Sequence, residues 1–374
     1  MIRTIPIFLT FLLMGVADAM GPLSSAVQKN PFMAALMPFF VFIAFALFSV
    51  PGGVMAARIG KKNLLMTGLV LCSISLAIPT FIDPPFVLML ISIFLLGIGT
   101  TFLQVSGNPI MRDVSRSGDY SRNLALAQGI KGVGSTVSAY LVTAVTSLAL
   151  LSSMGWRGAF PIFLAMTLIT LFTLKPLKIE EARAEKPPKI SDSLGLLREK
   201  PFALAVLGIF LYVGAEVCMT TFLRPLLLSN NFSENQAALL GPSLFLGALT
   251  VGRLVAGSIK LEAYVFFRLS SALGLLGLIF IVTGARFLFV PGIALGGLGF
   301  ANIWPMLFAI TVERKPERGS ELSGLMCMAI SGGALVPLLM AKLGGGTSSW
   351  PFIVPAVGFT YLLFLSLQKK HQGA

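Results

Sequence analysis

Twelve apolar stretches, a small share of charged residues and a lopsided placement of lysine and arginine predict an all-α polytopic membrane protein. Of 374 residues, 56% are hydrophobic and 11% are charged, against about 25% charged in a soluble domain. Mean hydropathy is +0.89. So little polar surface cannot cover a water-facing globule, and lipid is the expected solvent. A spanning helix needs roughly 20 mostly apolar residues. The twelve stretches are 4–27, 33–57, 63–82, 86–111, 121–149, 156–175, 201–228, 236–259, 263–283, 286–312, 321–343 and 349–368. The first is read as a span and not a cleavable leader. It is too long, contains Asp18 and lacks a small-residue cleavage site.

Charge sets the expected orientation. Arg58, Lys61, Lys62, Arg112, Arg116, Arg122, Arg314, Lys315, Arg318, Lys369 and Lys370 fall on one side of the twelve spans. The opposite side holds Lys29 and the flanking Arg157, Arg224 and Arg286. The positive-inside rule then places both termini in the cytoplasm of a plasma (inner) membrane. The same distribution accounts for the net charge of +13 without a nucleic-acid partner, because no basic face forms. The polar stretch 176–200, with Lys186-Pro187-Pro188, is the linker of consequence. It divides the chain into two six-helix, pseudo-symmetric bundles, 1–175 and 201–374.

The inventory excludes several chemistries. Cys72, Cys218 and Cys327 lie inside apolar runs, and His371 is in the tail. No disulfide framework, metal site or cofactor is expected from that set. The G-x-x-x-x-G-K-[ST] phosphate loop is absent. An enzyme would need a nucleophile–base pair or a metal set, and neither is present.

The halves share features at a near-constant offset. Asp18 and Glu216 are 198 residues apart, Pro109 and Pro305 are 196 apart, and Gly132 and Gly332 are 200 apart. Together these fit two parallel repeats.

Polar residues inside the spans carry the candidate chemistry. A charge at a helix centre costs about 2.5–3.5 kcal/mol on insertion scales, so it needs a partner, water or a task. Asp18 and Glu216 lie at similar depth in the first and seventh spans. They are candidates for proton coupling or substrate binding. The competing reading is an acid satisfied by a neighbouring helix. Lys131 lies about 15 Å into the fifth span by helical rise and shares a face with Gln128. It pairs with an acid, selects an anion or snorkels along the wall. Gln104, Asn108, Gln128, Tyr212, Asn302 and Trp304 complete a candidate pocket. Hydroxyl-rich solutes require amides, carboxylates and an aromatic face.

The loop after the second span reads Gly53-Val54-Met55-Ala56-Ala57-Arg58-Ile59-Gly60-Lys61-Lys62. It resembles the major facilitator signature G-x-x-x-D-R-x-G-R-K, with Ala57 at the aspartate position. Gly53, Arg58, Gly60 and Lys61 are its candidate gating residues, and one gating charge pair is missing or lies elsewhere. Further segments are Gln104-Val105-Ser106-Gly107-Asn108-Pro109, Leu126-Ala127-Gln128-Gly129, Tyr212-Val213-Gly214-Ala215-Glu216, Trp304-Pro305 and Ser331-Gly332-Gly333-Ala334. These resemble the fucose–galactose–glucose:proton symporter family. The resemblance implies a major facilitator fold and sugar uptake coupled to protons, with a central site between the halves. The family's acid in the fourth span corresponds to Gln104, its acid in the first to a position near Pro22, and an asparagine to Lys131. Three alternatives follow: Asp18 or Glu216 has taken over coupling, the ion is sodium, or coupling is lost.

The expected function is therefore secondary active import of a monosaccharide or related small polar solute, by a monomer in the bilayer. The rivals are an exporter of amphiphiles and a carrier of a sugar acid or other organic anion.

Overall fold

The computed structural model describes residues 5–16, 31–116, 118–145, 152–179, 188–346 and 348–368. The chain is almost entirely helical. Ten helices are long and apolar enough to cross a membrane: α2 (Pro31–Ile59), α3 (Lys61–Phe81), α4 (Phe86–Asp113), α6 (Ser153–Leu174), α7 (Lys200–Ser229), α8 (Glu234–Ser258), α9 (Ala263–Val282), α10 (Arg286–Arg314), α11 (Pro316–Lys342) and α12 (Trp350–Leu367). The short α1 (Ile5–Met14) and the 25-residue, less apolar α5 (Tyr120–Ala144) bring the helices at predicted spans, among the described residues, to twelve. The second half of the predicted first span, with Asp18, lies outside the described residues.

Apolar side chains point outward as well as inward, as lipid-facing helices require. Phe287 is 78% exposed and Phe172 66%.

The helices form two compact units. Unit 1 comprises Met1–Leu197 with Lys315–Met328, and unit 2 comprises Arg198–Arg314 with Ala329–Ala374. α11 is divided between them at its 3-10 turn, Ala329–Ser331. In unit 1, α2 and α3 pack on α4, and α1 packs on α5. In unit 2, α7 packs on α12 and on the second half of α11, and α10 packs on α8 and α9. Phe300 stands at the centre of unit 2, with its ring 4.1 Å from Phe359, 5.1 Å from Phe245 and 6.0 Å from Tyr212.

Close backbone approach reveals the repeat. A Cβ on Gly134 of α5 would stand 2.1 Å from the Leu12 carbonyl oxygen of α1. A Cβ on Gly332 of α11 would stand 2.0 Å from the Phe210 carbonyl oxygen of α7. Only glycine allows such crossings. Both pairs, Gly134 with Gly332 and Leu12 with Phe210, are 198 residues apart, the offset of Asp18 and Glu216. The structural counterpart of Gly332 is thus Gly134 and not Gly132.

Prolines interrupt the backbone hydrogen bonding of α3, α4 and α10 at defined places. A proline inside a helix removes the N–H that would bond the carbonyl four residues earlier, and in lipid that oxygen must find another donor. Pro79 frees Ser75 O, which accepts from Ser92 Oγ at 2.7 Å. Pro109 frees Val105 O, which accepts from Ser323 Oγ at 2.7 Å. Pro305 frees Ala301 O, which accepts from Arg253 Nε at 3.1 Å. The last two prolines are the repeat-related pair.

Candidate functional site

The polar residues expected in a pocket fall into two clusters, one within each unit. Each is built beside one of the two repeat-related prolines.

In unit 1, Gln104 and Asn108 lie one turn apart on α4, and both are buried. Gln128 of α5 is buried opposite them, and its Nε2 donates to Asn108 Oδ1 at 3.3 Å. The Tyr120 hydroxyl donates to the Asn108 carbonyl at 3.1 Å. Asn108 Nδ2 is buried without an oxygen or nitrogen partner among the described residues, and the Asn108 side chain interacts with the Cys327 thiol of α11. Lys131 stands one turn beyond Gln128, half-buried, within electrostatic range of Cys327 on α11.

In unit 2, Tyr212 and Glu216 lie one turn apart on α7. Arg253 of α8, which sequence reasoning did not single out, joins them. Its Nη2 donates to the Tyr212 hydroxyl at 3.2 Å and lies 3.8 Å from Glu216 Oε2. Asn302 and Trp304 follow the break in α10. Asn302 Nδ2 donates to Gly252 O at 3.4 Å. Asn302 Oδ1 and Trp304 Nε1 are buried without a partner among the described residues. The Trp304 ring lies 5.8 Å from that of Phe308.

An orphaned buried polar atom costs roughly 1–3 kcal/mol. Here two are donors (Asn108 Nδ2, Trp304 Nε1) and one is an acceptor (Asn302 Oδ1). A hydroxyl both donates and accepts, so a polyhydroxylated solute satisfies either kind. The site as read from sequence lacked Arg253, although an arginine inside an otherwise apolar run was the available signal.

The loop joining α2 to α3 is tied down in several directions. Gly60 adopts φ 95°, a left-handed conformation that glycine reaches without penalty. This lets α3 start at once. Arg58 Nη2 donates to Pro188 O in the linker at 3.0 Å. Lys62 Nζ donates to Lys175 O at 2.7 Å. Lys61 pairs with Asp113 at the end of α4 at 2.5 Å, and both side chains are 9% exposed. Lys61 thus has an acidic partner in Asp113, which the linear motif could not show.

Gly53 is held by α11 within unit 1. A Cβ there would stand 2.7 Å from Ser320 O and 3.2 Å from the Gly324 Cα. Beside this crossing Arg318 makes a two-pronged contact with Glu321, at 2.8 and 2.6 Å. Ser193, in the linker helix Ile190–Gly195, donates to Glu321 Oε2 at 2.7 Å.

The chain is similar to several known transporters, among them a 2-nitroimidazole transporter of Escherichia coli (strain K12), 25% identical over 94% of this chain and 88% of that one. The chain is 28% identical over 362 residues to a glucose/galactose transporter of Brucella abortus biovar 1 (strain 9-941), covering 92% of this chain and 87% of that one. It is 21% identical to an L-fucose-proton symporter of Haemophilus influenzae, covering 88% and 84%. A crystal structure of a major facilitator transporter, FucP, in the outward conformation superposes with a TM-score of 0.83, at 17% identity and over 96% of this chain and 97% of that one. That likeness shows the major facilitator fold. The model of the Major Facilitator Superfamily matches residues 7–284, well over half of the chain, and the chain belongs to that family.

Proposed function

We propose that the protein imports a monosaccharide, or a closely related small polar solute, by alternating access coupled to the proton gradient. The observation that carries this reading is the set of buried atoms without an oxygen or nitrogen partner among the described residues, Asn108 Nδ2, Asn302 Oδ1 and Trp304 Nε1, each of which a sugar hydroxyl can complete. The printed activities of the relatives, glucose/galactose transport and L-fucose–proton symport, support the same class of substrate and ion. Family membership makes the chain a transporter and not an enzyme.

The working organisation in this reading is bundle 1–175, linker 176–200 and bundle 201–374, acting as a monomer in the inner membrane with both termini cytoplasmic. The support is the placement of lysine and arginine. Gln104, Asn108, Gln128, Tyr212, Asn302 and Trp304 bind the solute, and Asp18 and Glu216 bind protons or hydroxyls. Lys131 pairs with an acid or selects charge. The crossing of Gly53 with Gly324 serves as a gate on the side of the basic loops. The half-buried Lys131 and the buried Arg253 oppose an exporter of hydrophobic cations. They favour a sugar acid as the second substrate class.

The test is counterflow of labelled sugars in proteoliposomes. Asn302→Ala and Trp304→Phe each remove one hydrogen bond worth about 1 kcal/mol net. Each should raise the half-saturating concentration several-fold to tenfold, with folding and expression retained. Unaltered half-saturation in both variants would remove these atoms from the site.

A further inference from the structure

The guanidinium of Arg253 serves two masters. Pro305 leaves Ala301 O without its helical donor, and Arg253 Nε fills that position at 3.1 Å. The other edge of the same planar group faces α7, where Nη2 meets the Tyr212 hydroxyl at 3.2 Å and Glu216 Oε2 at 3.8 Å. The Arg253 side chain is 8% exposed and that of Glu216 26%. Arginine keeps its charge at every working pH. Glu216 is the member of the pair that can exchange a proton, and it is the member that water or a solute can reach.

The separation matters. At 3.8 Å the ion pair exceeds hydrogen-bonding distance, while the neutral Tyr212 hydroxyl holds the nearer place. Tyr212 interacts with both Glu216 and Arg253. From α10 the neighbours are the Ala301 carbonyl and the uncharged Asn302 amide, which bonds Gly252 next in the chain to Arg253. The carboxylate is thus balanced by the Arg253 charge and holds the Tyr212 hydroxyl by a hydrogen bond. A carboxylate has about four lone-pair sites, so a solute hydroxyl or a proton still finds a place on it.

We propose that Arg253 is the positioning residue for coupling: anchored on the break in α10, it holds Glu216 as a carboxylate that one solute or one proton can claim. Protonation of Glu216 leaves Arg253 with Tyr212 and Ala301 O and weakens the hold of α8 on α7. This extends the sugar–proton reading, on which it rests. It also assigns the coupling acid to the C-terminal half of the chain.

The test separates the charge pair from the substrate. Thermal unfolding of detergent-solubilised protein, without sugar, is followed from pH 5 to 8 for wild type, Arg253→Lys, Arg253→Gln, Glu216→Gln and Glu216→Gln/Arg253→Gln. Removing the arginine strands a part-buried carboxylate charge, which costs stability wherever that charge is present. Arg253→Gln should therefore melt well below wild type at pH 8 and recover towards pH 5, and adding Glu216→Gln should restore much of the loss at pH 8. Equal melting of Arg253→Gln and the double variant at every pH would overturn the pairing. In proteoliposomes the double variant should lose proton-driven accumulation, and Arg253→Lys should shift the pH profile of accumulation. Accumulation by the double variant at the wild-type ratio would overturn the coupling role even if the pair exists. A wild type that melts as described but moves no sugar would sink the sugar reading, and with it the coupling role, while the charge pair stands.

Discussion

Lys61 and Asp113 face each other at 2.5 Å with 9% of each side chain exposed. Breaking such a pair strands one charge, at a cost of about 3–5 kcal/mol, whereas replacing both partners with apolar groups is often neutral. Lys61→Met and Asp113→Leu should each lower the melting temperature strongly, and the double variant should recover most of the loss. Additive losses in a thermal unfolding series would show that the two do not act as a pair. The sequence exposed one half of this contact, because Lys61 sits in a recognisable motif. It hid the other, because Asp113 reads as an ordinary polar helix end until α3 and α4 are brought together. Arg253 was hidden for a related reason. Reading lysine and arginine as markers of loops directs attention away from an arginine inside a span, and its partners Tyr212, Glu216 and Ala301 come from two other helices, α7 and α10. Gln104, Asn108, Gln128, Glu216, Asn302 and Trp304 were legible because polar groups in apolar runs are costly wherever they point.

Helix boundaries were also legible, since an apolar run ends abruptly where charge begins. α3, α9 and α12 were expected at 63–82, 263–283 and 349–368 and are found at Lys61–Phe81, Ala263–Val282 and Trp350–Leu367. The breaks within helices were less so. Prolines announce a lost backbone hydrogen bond, but not which side chain replaces it. Ser92, Ser323 and Arg253 come from 17, 218 and 48 residues away. The glycine crossings behave alike: Gly53 stands in a motif, while its partner Gly324 is fixed only by packing. A valine at either position would drive a side chain into backbone 2.7 Å away. Gly53→Val and Gly324→Val should therefore open the contact between α2 and the first half of α11. In a background lacking Cys72, Cys218 and Cys327, a cysteine replacing the buried Ala56 should react faster with a polar maleimide in either variant. Labelling at the parent rate would mean that the crossing does not hold this face shut.

At the scale of the molecule, the repeat is where sequence and structure agree most closely. The offset of 198 that links Asp18 to Glu216 also links Gly134 to Gly332 and Leu12 to Phe210. The same fold thereby builds an amide cluster beside Pro109 and a charged cluster beside Pro305. Each half has a helix in which a proline leaves a carbonyl to cap. The caps come from unrelated positions, Ser323 of α11 for Val105 O and Arg253 of α8 for Ala301 O. Function follows from that difference in the present reading: hydroxyl recognition is shared, while the charge that couples it to protons is carried by Glu216 and Arg253. The direct test uses purified protein in liposomes that enclose a pH-sensitive dye, challenged in turn with neutral hexoses, deoxyhexoses, amino sugars and sugar acids. Internal acidification on adding a neutral sugar, abolished by Glu216→Gln, is the predicted result. Sugar entry with no change of internal pH, or acidification that persists in Glu216→Gln, would contradict it.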